Sequence, residues 1–587
     1  MRQMVQVLAK SASFPTDIED DDWGTAEEDE FRNFRVEALW DCALDVSEMI
    51  GGPEFLHVLV PHLQAEVDRA AGKADAWRTV EGALFLIRAA ARYAPDDDAS
   101  VVPQVLSLYQ KLPAHPRVRQ AFTIVCGKLG RWLNLHPEAL GPLLDYVVQG
   151  LGVPHVGKTA AEALQDLCDA CGERMAAPEQ LNGLLQIYQS IGVLDIQAQE
   201  RVVEGIGSVL VRVPGNQLQQ MIAAVAEPPL KDAMAAMQAQ NKDVLINQIK
   251  KVRSLIKGSV NNCDRGVSSE VSAARREALS VAWTIQFEKA WPVFEAAIAQ
   301  FVGQEDLMEH VCRCMKSAMQ AMSQRFKQFL GPFATAVVNS YLKHPLSCIL
   351  YAVDSIVSLF GKHPEFGQPL LDMFAALSSR TMQALNSPAA FQAAPDIVQE
   401  YFELAGRGLR RFPQPMLVAP VGAEAFACGV QSFYTPLAHR DALKAVAAFL
   451  DNLVLADANQ GDDARHAQDK AASVAFLMQV APSPQGATQP RGLTMMQALV
   501  TGLVDKGGVL IEPCALVIMD CGELMRPARD EWLAAALHGV PDAVLPAAAK
   551  SACMQAVQQI RVGSGSKDAL HDCKAAVRNL QRAVRPQ

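Results

Sequence analysis

The chain has 587 residues, is 50% hydrophobic but only 6% aromatic, and carries a net charge of −11. That length exceeds one compact core, and the prominence of Ala and Leu suits helices packed on helices. An excess of 64 Asp and Glu over 53 Lys and Arg argues against a bulk nucleic-acid binder, so no direct nucleic-acid partner is expected.

Thirteen cysteines follow no framework spacing, and residues 1–10 hold no apolar run of signal length. A reducing compartment is expected: cytosol, nucleus or both. No stretch approaches about 18 uninterrupted apolar residues, so membrane insertion is not expected.

In chain order, Met4, Val5 and Leu8 recur at helical spacing and predict the end of a helix, as though the chain begins in mid-repeat. An acidic loop from Asp17 to Glu30 follows, with nine carboxylates. Residues 1–35 are therefore taken as the end of a repeat plus this loop. Residues 36–256 read as helix pairs. Val80, Leu84, Ile87 and Ala91 form one amphipathic stripe, and Ala161, Leu164, Leu167, Cys168, Cys171 and Met175 another. Pairs begin near Arg117, Gly157 and Asp195, a period of about 40 residues, which is that of HEAT-type repeats. Lys257 to Ser269 is polar and reads as an exposed inter-repeat loop. Residues 270–587 continue the repeats, with the stripe Ile349, Val353, Ile356 and Phe360 and a second exposed loop at Ala456 to Asp469. Turn chemistry marks the breaks at His136-Pro137, Pro214-Gly215, His344-Pro345 and Phe412-Pro413. No alternating run is long enough to build a sheet. The fold class is all-α: an α-solenoid of HEAT/ARM-type antiparallel helix pairs. A single pair leaves an apolar face that only its neighbours can cover.

Several local signatures resemble, in order, the importin-β superfamily of nuclear transport receptors, in the branch containing transportin-SR and importin thirteen. They are Asp29-Glu30-Phe31-Arg32-Asn33-Phe34-Arg35 after the acidic loop, then Trp77, Glu81, Ala83, Leu84 and Phe85. Next come Ala160 to Leu164 through Cys168 and Cys171 to Met175, then Asn182-Gly183-Leu184-Leu185. Trp291-Pro292-Val293, Cys312-Arg313-Cys314, His439-Arg440-Asp441-Ala442 and Trp532-Leu533 complete the series. The resemblance covers what looks like the C-terminal two-thirds of a receptor. In the family the principal site for the GTPase Ran lies in N-terminal repeats that have no counterpart here. Ran is thus a partner only if such repeats precede this sequence. The resemblance further implies protein cargo, Phe-Gly nucleoporins docked in grooves between outer helices, and shuttling between cytoplasm and nucleus.

Arg313 and Lys316 stand three apart and so share a helix face. In transportin-SR the similar helix is an arginine-rich strip for phosphorylated Arg-Ser cargo. Here Lys316 replaces an arginine, and Gln320 stands where another is expected. Arg313, Lys316 and Gln320 are the candidate cargo-binding residues, with Arg325 and Lys327 adding positive potential. The plainer reading is an ordinary solvated face. Arg407, Arg410 and Arg411 read either as a second basic strip or as cations complementing a helix C-terminus. The acidic loop reads as a solvated, self-repelling segment or as a lure for basic cargo.

Cys168 and Cys171 lie within a helical stripe, so a core role outweighs a redox or zinc site; Cys312 and Cys314 read alike. His439-Arg440-Asp441 has the look of a kinase fragment without the rest of a kinase, and Asp441 is better read as a cap or inter-repeat ion-pair residue. No catalytic set, cofactor motif or metal-ligand spacing stands out. Two functions remain: a nuclear import receptor, and a non-transport HEAT-repeat scaffold.

Overall fold

The computed structural model describes residues 2–19, 23–70, 73–454, 463–560 and 567–585. The chain is an all-α HEAT-repeat solenoid and divides into two compact units. The first comprises residues 1–293 with Gln320–Arg325; the second comprises Phe294–Met319 and residues 326–587.

In the first unit one row of helices packs in sequence order. Its members are α1 (Arg2–Ala12), α2 (Trp77–Ala90), α3 (Pro116–Lys128), α4 (Gly157–Ala170), α5 (Ile196–Leu210) and α6 (Lys242–Asn261). A second row, with Gly52–Ala70, Pro137–Gly150, Pro178–Ser190 and Gly215–Gln238, covers it. The starts at Pro116, Gly157 and Ile196 follow the expected period. Local chemistry sets them: Asp195 accepts from the Ala198 amide at 2.9 Å as an N-cap, and Pro116 occupies a first-turn position of α3. The stripes read from sequence are buried. Ala161, Leu164, Leu167, Cys168, Cys171 and Met175 are all 0% exposed. Each such large side chain contributes about 1.5–3 kcal/mol when buried.

The second unit repeats the plan. Its packed row is α7 (Glu305–Met322), α8 (Ser347–Phe360), α9 (Pro395–Arg411), α10 (Arg440–Asn452), α11 (Ile511–Gly539) and α12 (Lys567–Arg582). The last residues of α7, from Gln320, belong to the first unit. Covering helices include Lys327–Lys343, Gly367–Ala384, Pro420–Ser432, Arg491–Lys506 and Ala547–Gln559. A kink at Met525, two residues before Pro527, bends α11, because proline removes a backbone donor and crowds the preceding turn.

Three sequence boundaries shift. The acidic segment is not loop throughout. A helix runs from Ala26 to Phe34, with Thr25 Oγ1 accepting from the Glu28 amide at 3.3 Å. Its first-turn carboxylates are favoured by the helix dipole. Asp20, Asp21 and Asp22 lie outside the described residues. The loop expected at Lys257 to Ser269 shrinks, because α6 continues to Asn261 and the next helix starts at Ser269. Asn262 is buried rather than exposed, since its amide donates to Gly258 O at 3.0 Å and to Asp169 Oδ1 at 3.3 Å. Of the loop expected at Ala456 to Asp469, residues 456–462 lie outside the described residues. The remainder begins a helix, Asp463–Met478, in which Asp469 is buried and accepts from Gln414 at 3.2 Å. One three-residue strand pair, Val480–Pro482 with Thr488–Pro490, is the only β-structure among the described residues.

Candidate functional site

The apolar residues of α7 bury Leu307, Met308, Val311, Cys312, Met315 and Met319. That orientation turns Glu309, Arg313, Lys316, Ser317 and Gln320 towards solvent, at the i, i+4, i+7 spacing of one helix face. Arg313 is exposed and pairs with Glu309 one turn earlier. A pair of this kind contributes about 0.3–0.5 kcal/mol, so the guanidinium is readily drawn to another anion. Lys316 is half-buried. Its Nζ donates to Tyr351 Oη of α8 at 2.5 Å and lies 4.1 Å from the centre of that ring. The ammonium is thereby held at a fixed point on the row. Gln320 is exposed in the first unit, where it lines a cleft of about 550 Å³ with Arg276, Glu277 and Arg325. Arg325 is occupied by Glu277, and Lys327 by Glu365 at 3.2 Å.

From α9, Glu400 lies within electrostatic reach of Lys316, with Asp396 and Glu403 beside it. Glu400 Oε2 is buried without a hydrogen-bond partner. Burial, with Glu403 and Asp354 adding repulsion, pushes its carboxyl up to about 7, and Lys316 opposes the shift. No spacing in the sequence signals Glu400. Tyr351 is equally silent in sequence, because its role depends on a lysine from another helix.

Arg407, Arg410 and Arg411 are structural ties. Arg407 pairs with Asp354 of α8, Arg411 donates to Ser358 O at 3.1 Å, and Arg410 donates to Asn452 Oδ1 of α10 at 2.9 Å. They join three successive helices, which goes beyond complementing one helix end. At the start of α10 the cap is His439, whose Nδ1 accepts from the Ala442 amide at 3.3 Å; Asp441 is an exposed first-turn residue and not the cap. Cys168 and Cys171 are core residues: both thiols are pushed up by burial, Cys171 to about 11. Cys312 and Cys314 are buried too. Among the described residues no group of three His, Cys, Asp or Glu is placed to hold a metal. No described helix is long and apolar enough to cross a membrane.

In the first unit, an apolar groove of about 470 Å³ lies among the covering helices, lined by Pro103, Leu106, Tyr109, Trp132, His136 and Pro142. Its aromatic wall is rigid: Trp132 stacks on His136 at 3.8 Å and donates to Asp98 O at 2.7 Å.

Residues 99–187 match the Transportin-3/Importin-13 third TPR domain, and residues 283–385 match the fourth domain of the same family. The two segments occur in the family's own order, and the second contains α7 and α8. Over 464 residues the chain is 24% identical to Transportin MOS14 of Arabidopsis thaliana, covering 76% of this chain and 46% of that protein. It is 21% identical over 463 residues to Importin-13 of Gallus gallus, covering 77% of this chain and 47% of that one. The chain is thus similar to the importin-13/transportin branch of the importin-β family. It spans about half the length of the curated relatives it matches. In fold it is similar to importin-13 in its cytosolic state, with a TM-score of 0.73 at 13% identity over 100% of this chain and 64% of that one. Importin-β itself is also similar, with a TM-score of 0.50 at 12% identity, covering 98% and 65% of the two chains.

Proposed function

We propose that this chain forms part of a nuclear import receptor that carries protein cargo between cytoplasm and nucleus. Similarity to the importin-13/transportin branch is the observation that carries this reading. Arg313 and Lys316, with Gln320 a turn further along the helix, are the proposed cargo contacts. A cargo phosphate recruits Arg313 away from the weak Glu309 pair and meets Lys316 where Tyr351 holds it. Phosphorylated Arg-Ser segments suit this pairing, since the exposed Glu403 supplies negative charge near Glu400 and Lys316 for their arginines. Phe-Gly nucleoporins are the proposed occupants of the groove at Trp132, whose flat apolar walls suit a phenylalanine ring. Ran is a proposed partner of the whole receptor, of which this chain resembles one part.

The test is retention on immobilised Phe-Gly repeats together with anisotropy binding of a phosphorylated Arg-Ser peptide. The chain is expected to be retained and to bind the peptide. Arg313→Ala with Lys316→Ala is expected to weaken peptide binding by about 10- to 100-fold, from two charge-assisted contacts of about 1.5–3 kcal/mol that are reduced by exposure. A scaffold without a transport role passes through the column unretained. Unchanged peptide affinity in the double variant removes the assignment of Arg313 and Lys316.

A further inference from the structure

A second cleft, of about 730 Å³, opens in the second unit among α10, α11 and α12. Arg440 and Lys444 reach it from α10, and Lys574 and Arg578 from α12. Two carboxylates, Asp451 and Glu512, also line it, so four cations face two anions on a chain that is acidic overall. Glu512 is already engaged. Its Oε1 accepts from Lys574 Nζ at 2.5 Å, and that bond holds its carboxyl below the usual range. Arg440, Lys444 and Arg578 form no ion pair among the described residues. Arg440 and Arg578 are exposed and Lys444 is half-buried, so all three are open to a partner.

The spacing identifies what would fit. Arg440 and Lys444 are one helical turn apart, and so are Lys574 and Arg578, which is about 6 Å along each axis. Alternate side chains of an extended peptide are about 6.6–6.8 Å apart. Between the charged residues the wall is apolar, with Ala447, Ala448 and Leu516, which leaves room for a peptide backbone. A compact dianion suits the cleft less well: the cations are spread in pairs, and the resident Asp451 and Glu512 oppose concentrated negative charge.

We propose that this cleft docks an acidic protein segment in extended conformation, its carboxylates at alternate positions facing Arg440, Lys444 and Arg578. The proposal goes beyond the import reading and does not depend on it, because the cleft residues are separate from Arg313 and from the Trp132 groove.

The test uses the full chain and a fluorescein-labelled octapeptide of alternating Glu and Ser, followed by anisotropy at low salt. Saturable binding that weakens as salt rises is expected. Arg440→Gln, Lys444→Gln and Arg578→Gln together should weaken it at least about tenfold, and Arg578→Gln alone about threefold. Lys362→Gln, an exposed cation elsewhere in the same unit, should leave it unchanged. The helical circular dichroism of each variant is expected to match the parent, and the single variant carries the test if the triple one misfolds. Equal affinity in parent and Arg578→Gln overturns the proposal. So does saturable binding of inorganic phosphate or a phosphoserine peptide without binding of the glutamate peptide.

Discussion

Replacing Glu28 with alanine is expected to destabilise the first unit by about 3–5 kcal/mol, the usual penalty for removing one member of a buried ion pair. Glu28 is 0% exposed and pairs with Arg117, which is 2% exposed, from α3. Its other oxygen accepts from the Gly24 amide at 2.6 Å. The Arg117 guanidinium also lies 4.2 Å from the Trp23 ring centre and 4.6 Å from that of Phe14, and those rings add a cation–π contribution. A second buried pair, Arg35 with Glu81 at 2.9 Å, stands beside it and anchors the same N-terminal segment to α2. Urea unfolding followed by tryptophan fluorescence measures the loss. A companion variant, Glu28→Leu with Arg117→Met, should recover part of it, because apolar side chains then replace both buried charges. A loss below about 1 kcal/mol for Glu28→Ala would mean that water reaches the pair, contrary to its burial.

Gly258→Val is expected to be at least as damaging, at about 3 kcal/mol or more. Helices α5 and α6 approach backbone to backbone at two glycines. A Cβ on Gly258 would run into the carbonyl of Glu204, and one on Gly207 would meet Leu255 O at 2.5 Å and Ser259 N at 3.1 Å. The opposing atoms are main chain, so no rotamer change relieves the clash, and the two helices must separate. Separation exposes neighbours such as Ile206 and Leu255, which are 0% and 1% exposed. In a stack where each pair is stabilised by the next, a fault at one interface weakens both sides of it. Gly183→Ala is the control: nothing lies within 4 Å of its added Cβ, and alanine in a helix interior is favoured by about 1 kcal/mol. Thermal melts should therefore move in opposite directions for the two variants. A Gly258→Val melt coincident with the parent would show that α5 and α6 are not in backbone contact.

The candidate face is partly legible in the amino-acid sequence. The presence of Arg313, Lys316 and Gln320 on one side of a helix follows from the apolar residues between them, since burying Cys312, Met315 and Met319 forces the rest outward. What engages each of them is not legible there. Lys316 is held by Tyr351, 35 positions away, and Arg407 pairs with Asp354, 53 positions away. The arginine cluster at the end of α9 has a sound local explanation in the helix dipole, yet its members are spent on neighbouring helices. The cleft of Arg440, Lys444 and Arg578 joins helices more than a hundred residues apart, and each half alone looks like a solvated surface.

The repeating pattern of apolar residues, the caps and the prolines determined the helices, their order and their pairing. Those signals act within a few turns, and each hairpin's apolar face can be covered only by its neighbours in sequence. Tertiary structure alone decided which charges are buried and which stay free. The acidic run at Glu27 to Glu30 shows the difference. As sequence it is a solvated, self-repelling block; in the fold one of its members, Glu28, is fully buried because Arg117 arrives from 89 residues away to neutralise it. Burial of a charge depends on its partner's position in space, and periodicity carries no information about that.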